Sequence, residues 1–81
     1  MVKTIFTDKF ESKFKKSDGS MKIKLKKQIQ KIIENPEIGK PMKYNRKGTR
    51  EVYVSPSRLS YSYSPKEDLI IFLTIYHKDE Q

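Results

Sequence analysis

The sequence contains neither cysteine nor tryptophan, and His77 is its only histidine. Without cysteine the chain has no disulfide, no thiolate metal ligand and no cysteine nucleophile. A single histidine also excludes an acid–base scheme that needs two imidazoles. No stretch approaches the ~18 consecutive apolar residues of a membrane span, and residues 1–4 do not resemble a secretory leader. These absences predict a cytoplasmic protein that does not associate with a membrane.

Acidic residues are scarce in the middle of the chain. Ten lysines against five acids give residues 1–39 a net charge of +5, whereas two lysines against four acids give residues 65–81 a net charge of −2. Residues 40–64 also reach +5, because Glu51 is their only acid beside six basic residues, namely Lys40, Lys43, Arg46, Lys47, Arg50 and Arg58. Such a segment, with tyrosines between the charges, favours a polyanionic partner such as nucleic acid. General lysine enrichment of the surface is the alternative, and it explains the N-terminal half better than residues 40–64.

The N-terminal half predicts one strand and two helices. Residues 2–7 alternate as a short strand, and Asp8 with Glu11 then forms a capping-box pattern that begins a helix at Asp8. Residues 17–20 predict a turn and a second N-cap. Apolar residues recur at helical spacing over residues 21–34, where Asn35-Pro36 ends the helix.

The C-terminal half predicts an antiparallel meander of three strands. Residues 50–55 form one strand, and residues 57–64 alternate, with Leu59, Tyr61 and Tyr63 on one face and Arg58 on the other. A turn at residues 65–68 leads to residues 69–76, which are apolar on both faces. The order β-α-α-β-β-β predicts one domain over residues 1–81 with a two-layer α+β fold, in which the face opposite the helices is free to bind a partner.

The predicted hairpin brings Arg58 and His77 together. Counting outward from the turn pairs Ser64 with Leu69 and Arg58 with Ile75, which leaves His77 about two residues, or ~7 Å, from Arg58. An imidazole can transfer a proton near neutrality, and a guanidinium can stabilise negative charge on a phosphate. We therefore take both as candidate catalytic residues. The second proton carrier stays open among Glu51, Tyr53, Tyr76 and a lysine.

The passage "GKPMKYNRKGTREVYVSPSRLSYSYSPKEDLIIFLTIYH" resembles the RelE/YoeB/YafQ group of toxin ribonucleases in the RelE/ParE superfamily. Three features carry the resemblance: a Gly-Lys-Pro loop before a basic strand, the arginine and tyrosine of "RLSY", and the basic "TIYHK" after the last apolar run. It implies a toxin that enters the ribosomal aminoacyl site and cuts messenger RNA by attack of the RNA's own 2′-hydroxyl, without metal or other cofactor. It also implies a cognate RelB-like antitoxin that wraps the toxin.

The resemblance assigns roles to individual residues. Arg58 matches a phosphate-binding arginine, His77 matches a histidine that acts as general acid or base, and Lys78 matches a following basic position. Many members carry an aromatic beyond the last strand that stacks on the substrate base, which this chain lacks, and Glu51 matches no family carboxylate. The residues expected to bind substrate are Lys43, Arg46, Lys47, Arg50, Tyr53, Tyr76 and Lys78.

Two other functions fit the same sequence. A ParE-like toxin that inhibits DNA gyrase through protein contacts would share the fold, and His77 would then have no catalytic role. A basic RNA-binding module without toxicity would show steeply salt-dependent RNA binding and no cleavage.

Overall fold

A computed structural model describes residues 2–41 and 48–77 of the chain. The elements, in chain order, are β1 (Lys3–Phe6), α1 (Asp8–Lys16), α2 (Gly19–Glu34), β2 (Lys40–Pro41), β3 (Thr49–Val54), β4 (Ser57–Ser64) and β5 (Leu69–His77). Within this described part, neither helix has the length and apolar character that a bilayer span requires.

The five strands form one sheet in the order β1-β5-β4-β3-β2. Strand β1 runs parallel to β5, and the other neighbours are antiparallel. The predicted α+β fold, with an N-terminal strand, two helices and a three-stranded meander, is confirmed. The two-residue strand β2 is an addition in a stretch that the sequence predicts as loop. Its Pro41 is tolerated because β2 lies at the edge of the sheet, where a missing N–H costs no ladder bond.

Polar side chains cap both helices, but the first cap differs from the expected one. Thr7, not Asp8, is the N-cap of α1, and its hydroxyl accepts a hydrogen bond from the N–H of Phe10 at 3.1 Å. Asp18 caps α2 by accepting from the N–H of Met21 at 2.7 Å. The capping-box pattern predicts the cap one residue late, because Thr7, directly after β1, keeps the extended backbone that an N-cap requires.

The helices cover one face of the sheet, here called the helix face. Phe10 of α1 and two α2 residues join strand residues in the buried core, which comprises Phe10, Leu25, Ile32, Val54, Leu59, Tyr61, Ile70, Phe72 and Ile75. The predicted alternation of β4 is confirmed, because Leu59 and Tyr61 are both fully buried. Arg58 and Ser60 therefore belong to the opposite face, here called the open face.

A β-bulge at Leu73 interrupts the pairing of β4 with β5. Ser60 pairs with Thr74 and Tyr61 pairs with Phe72, so Leu73 has no partner on β4. Thr7 supports the bulge from the β1 side: its N–H donates to the Phe72 carbonyl at 3.2 Å, and its hydroxyl lies 2.8 Å from the Leu73 carbonyl oxygen. Because of this extra residue, each later residue of β5 points to the opposite face from the one it would occupy in an uninterrupted strand.

Tyr61 anchors the segment that leads into β2. Its hydroxyl donates to the Pro36 carbonyl at 2.7 Å and accepts from the Gly39 N–H at 2.9 Å. A Cβ atom on Gly39 would lie 2.7 Å from the Tyr61 hydroxyl oxygen, so only glycine fits there. Burial raises the pKa of Tyr61 above its ordinary value of 10.0, against smaller opposing effects of the Gly39 hydrogen bond and Arg50.

We expect Tyr61→Phe to lower the free energy of unfolding by about 1–3 kcal/mol, because the Pro36 carbonyl and the Gly39 N–H both lose their partner. The unfolded chain releases the tyrosine proton near its ordinary pKa, whereas the folded chain holds it to higher pH. This residue's contribution is therefore complete below about pH 10 and is lost as pH rises through the raised pKa. Urea unfolding of both proteins from pH 8 to 11 should show the difference between them shrinking above pH 10, and a constant difference would contradict the prediction.

Candidate active site on the open face of the sheet

Two rows of side chains cross the open face. In one row, strand pairing sets Tyr53 of β3, Arg58 of β4 and Tyr76 of β5 side by side. The neighbouring row runs from β2 to β5 through Lys40, Glu51, Ser60 and Thr74. Residues paired across strands point to the same face, so both rows lie on one surface. Glu51, Tyr53, Arg58 and Tyr76 form what is here called the Glu51 cluster.

Glu51 is the centre of this cluster. One carboxylate oxygen, Oε1, lies 2.7 Å from Nη1 of Arg58 in an ion pair with hydrogen-bond geometry. The other oxygen, Oε2, accepts a hydrogen bond from the Tyr76 hydroxyl. The Glu51 side chain is 15% exposed and that of Arg58 is 35% exposed, so the pair is partly shielded from water. A single carboxylate thus holds a cation and a phenol at the same place.

The Arg58 guanidinium keeps donor groups that Glu51 does not use. Its Nη1 serves the ion pair, and its Nε is buried without a hydrogen-bond partner in residues 2–41 and 48–77, so a ligand can reach the guanidinium only through the exposed third of the side chain. The guanidinium carbon lies 6.0 Å from the centroid of the Tyr53 ring, which is within cation–π range. Tyr53 itself is 56% exposed. An arginine with remaining donors beside an exposed aromatic ring can bind an oxyanion and leave the ring for a planar group such as a base.

The expected register of the hairpin is wrong, and with it the placement of His77 beside Arg58. Arg58 pairs with Tyr76 rather than Ile75, and His77 pairs with Ser57. Tyr76 therefore shares the open face with Arg58, whereas the alternation of β5 turns His77 to the side of Ile75 and the helix face. The physical reason is the bulge at Leu73, which shifts the face of every later residue of β5 by one position.

Arg50 is also separated from the cluster. It pairs with Tyr61 on the helix face, and its Nη1 donates to the carbonyls of Glu37 at 3.1 Å and Gly39 at 2.8 Å. Of the other residues expected to bind substrate, Tyr53 and Tyr76 lie in the Glu51 cluster. Four of them fall outside the described residues, namely Lys43, Arg46, Lys47 and Lys78.

Sequence reasoning missed two members of this surface. The sequence identifies Glu51 only as one of several possible proton carriers, although its spacing of two from Tyr53 already places both side chains on one face of β3. The sequence predicts that Lys40 lies in a loop, because nothing in "IGKPM" indicates a strand. Its position opposite Glu51 follows from the pairing of β2 with β3.

A double-mutant cycle would test this arrangement. We expect Glu51→Gln and Tyr76→Phe to couple by about 0.5–3 kcal/mol in the free energy of unfolding, because each substitution weakens the same hydrogen bond. Glu51→Gln with His77→Ala is the matched control, and it should add within about 0.5 kcal/mol because the two side chains lie on opposite faces. Urea unfolding of the five variants and the parent gives both couplings, and a larger coupling for His77 than for Tyr76 would contradict the assigned faces.

Solved structures with the same fold include toxins and toxin–antitoxin complexes. The RelBE2 toxin–antitoxin complex of Mycobacterium tuberculosis matches with a TM-score of 0.81 and 18% identity, covering 95% of this chain and 98% of that one. A YoeB/ParE toxin from Agrobacterium tumefaciens has a TM-score of 0.82 and 17% identity, covering 94% and 98%. YafQ of E. coli has a TM-score of 0.80 and 20% identity, covering 99% and 97%. At these identities the likeness shows the fold.

The sequence itself matches one family. No curated protein matches the chain closely enough to count as a relative. The family model described as the ParE toxin of the type II toxin–antitoxin system parDE matches residues 4–81, nearly the whole sequence. With its RelE-like fold, the chain therefore belongs to the ParE toxin family of type II toxin–antitoxin systems.

Proposed function

We propose that this toxin is an endoribonuclease that cuts messenger RNA in the ribosomal aminoacyl site and so inhibits translation. The observation that carries the proposal is the Glu51 cluster, in which a guanidinium, a carboxylate and a phenol meet on the face that the helices leave open. These three groups supply phosphate binding and two sites for a proton. The basic character of residues 40–64 supports an RNA substrate over an uncharged one.

The reaction is an internal transesterification of the RNA. The 2′-oxygen attacks the neighbouring phosphorus, the bond from phosphorus to the 5′-oxygen breaks, and the products are a 2′,3′-cyclic phosphate and a 5′-hydroxyl. Arg58 binds the non-bridging oxygens and stabilises the charge that develops on them. Tyr53, exposed beside Arg58, offers its ring to the adjacent base, a contact typically worth ~1–3 kcal/mol.

Glu51 and Tyr76 form the proton-transfer pair of this proposal. Glu51 accepts the proton of the 2′-hydroxyl as general base, and Tyr76 donates its proton to the departing 5′-oxygen as general acid. The step leaves a neutral carboxylic acid beside a phenolate. Because the two groups share a hydrogen bond, the proton passes from Glu51 to Tyr76 and restores both. This pair takes the role that the sequence assigns to His77, since His77 lies on the other face of β5.

An antitoxin is the second partner, and the helix side of the molecule offers a place for it. An open cavity of about 360 Å³ lies where β1, α1 and α2 meet, and it is here called the apolar groove; its lining residues are Phe6, Phe10, Glu11, Phe14, Lys15, Lys26 and Ile29. Aromatic walls with two lysines fit an amphipathic segment that carries acidic residues and folds on binding. The structures of similar fold include an intact RelBE toxin–antitoxin complex of E. coli, which supports an antitoxin of RelB type.

A second candidate function is inhibition of DNA gyrase. The family description names ParE, and His77, the proton carrier that the sequence predicts beside the phosphate-binding Arg58, lies on the other face of the sheet. A gyrase inhibitor needs no proton-transfer groups, so substitutions in the Glu51 cluster that preserve the fold would leave its toxicity intact. Pulse labelling after induction separates the two functions, because a ribonuclease stops protein synthesis first and a gyrase inhibitor stops DNA synthesis first.

We expect Arg58→Ala and Tyr76→Phe each to lower the rate of ribosome-dependent mRNA cleavage by about 10²-fold or more, through lost charge stabilisation and lost proton transfer respectively. Arg58→Lys should recover only part of the rate, because lysine lacks the planar fork of donors. The measurement is primer extension on a message translated in a reconstituted system with purified toxin.

Tyr63→Phe is the matched control for Tyr76→Phe, because it removes the same hydroxyl group from the helix face of β4 and should cleave at the parent rate. His77→Ala separates the two acid–base schemes. A loss of cleavage rate in His77→Ala as large as that in Tyr76→Phe would indicate that the imidazole transfers the proton. Full activity of both Arg58→Ala and Tyr76→Phe would contradict a catalytic Glu51 cluster.

The groove makes a separate prediction about neutralisation. Lys15→Glu with Lys26→Glu should weaken binding of the antitoxin encoded beside the toxin gene, because the groove would then repel acidic side chains. Lys66→Glu, a single reversal in the exposed turn between β4 and β5, serves as control and should bind normally. Calorimetric titration of purified toxin with antitoxin measures the change, and equal affinities would place the antitoxin elsewhere.

A further inference from the structure

We propose that Lys40 is a second phosphate-binding residue of the open face, and that Arg50 and Tyr61 are positioning residues that hold it there through Gly39. The inference rests on the proposed function, because it takes single-stranded RNA as the ligand. It extends that function along the RNA: Arg58 binds the scissile phosphate and Lys40 binds a neighbouring one.

The position of Lys40 follows from strand pairing. Lys40 of β2 pairs directly with Glu51 of β3, so its side chain leaves the sheet on the face that carries the Glu51 cluster. It is exposed at the edge of the sheet, and its ammonium group forms no ion pair with any other described residue. Lys40 lies two strand spacings from β4 and in the row of Ser60, two residues along β4 from Arg58, so the two backbone positions are about 12 Å apart. That separation suits two phosphates of one extended strand.

The backbone before Lys40 is held unusually firmly for an edge strand of two residues. Gly39 donates its N–H to the Tyr61 hydroxyl at 2.9 Å, and its carbonyl accepts from Arg50 Nη1 at 2.8 Å. The same Arg50 nitrogen reaches the Glu37 carbonyl at 3.1 Å. Side chains thus hold both the N–H and the carbonyl of Gly39, and the close approach of the Tyr61 ring leaves no room for a Cβ there.

In this geometry Arg50 contributes to RNA binding indirectly, by positioning the backbone before Lys40. Its guanidinium lies on the helix face and binds backbone carbonyls, so it does not meet an RNA that lies across the open face. By fixing Gly39 it sets the direction in which the next residue leaves the sheet. Lysine suits that next position, because a flexible ammonium binds phosphate as a point charge without demanding one orientation.

Salt-dependent RNA binding tests the role of Lys40. The probe is a single-stranded RNA with 2′-O-methyl sugars throughout, which cannot be cleaved by 2′-hydroxyl attack. We expect Lys40→Gln to reduce the slope of log K against log salt concentration by about 0.7, the value for one phosphate contact on a single strand, and Lys40→Arg to restore it. Lys66→Gln is the matched control, since it loses the same charge about 20 Å away in the turn after β4 and should keep the parent slope.

A second comparison tests the positioning role of Arg50. We expect Arg50→Gln to weaken RNA binding, and Lys40→Gln to cause little further loss in the Arg50→Gln background, because the lysine is already displaced. An arginine that touches RNA directly would instead give independent, additive losses. Circular dichroism and urea unfolding of each variant establish that the fold is retained before binding is measured.

The outcomes separate this inference from the function on which it rests. If Lys40→Gln binds and cleaves like the parent while Arg58→Ala does not, the role of Lys40 is overturned and the ribonuclease stands. Additive losses from Lys40→Gln and Arg50→Gln overturn the positioning role of Arg50. If the parent protein binds no RNA at any salt concentration but still cleaves a translated message, the role of Lys40 is overturned and the ribonuclease stands. If the parent protein neither binds RNA nor cleaves the message, both are overturned.

Discussion

The bulge at Leu73 determines which side chains meet on the open face. Without it, continuous pairing outward from the turn would set Ile75 beside Arg58 and direct Tyr76 to the helix face. With it, Tyr76 stands beside Arg58 and reaches Glu51. The Thr7 hydroxyl, 2.8 Å from the Leu73 carbonyl oxygen, ties this irregularity to the junction of β1 and α1. One residue that caps a helix therefore also supports the register on which the candidate site depends.

The carboxylate of Glu51 offsets the repulsion between the positively charged side chains on the open face. It is the only acidic residue among residues 40–64, and the structure places it between Lys40 on one side and Arg58 on the other. Its carboxylate holds the Arg58 guanidinium in place, which limits the rotamer freedom that a phosphate would otherwise have to restrict on binding. In the proposed reaction the same carboxylate accepts a proton, so substrate binding and proton transfer share one group.

The two faces of the sheet have different roles in the toxin. The helix face builds the core and, beyond it, the apolar groove between the helices, while the open face carries the polar rows. Arg50 illustrates this division. It lies three residues before Tyr53 on the same strand, but its side chain is on the helix face and donates to the carbonyls of Glu37 and Gly39. An antitoxin segment in the groove and an RNA on the open face would thus use different surfaces.

The sequence alone determined the order of elements, the helix and strand periods, the alternating faces of β4 and the basic character of residues 40–64, because each of these is a local pattern of residue types. It also pointed to Arg58 and, among other residues, to Tyr76. Only the tertiary structure decided that Tyr76 rather than His77 faces Arg58, that Arg50 turns away, and that Lys40 joins the row of Glu51. These depend on the register between strands, and a run such as Leu69–Ile75 that is apolar on both faces carries no period that would mark an extra residue.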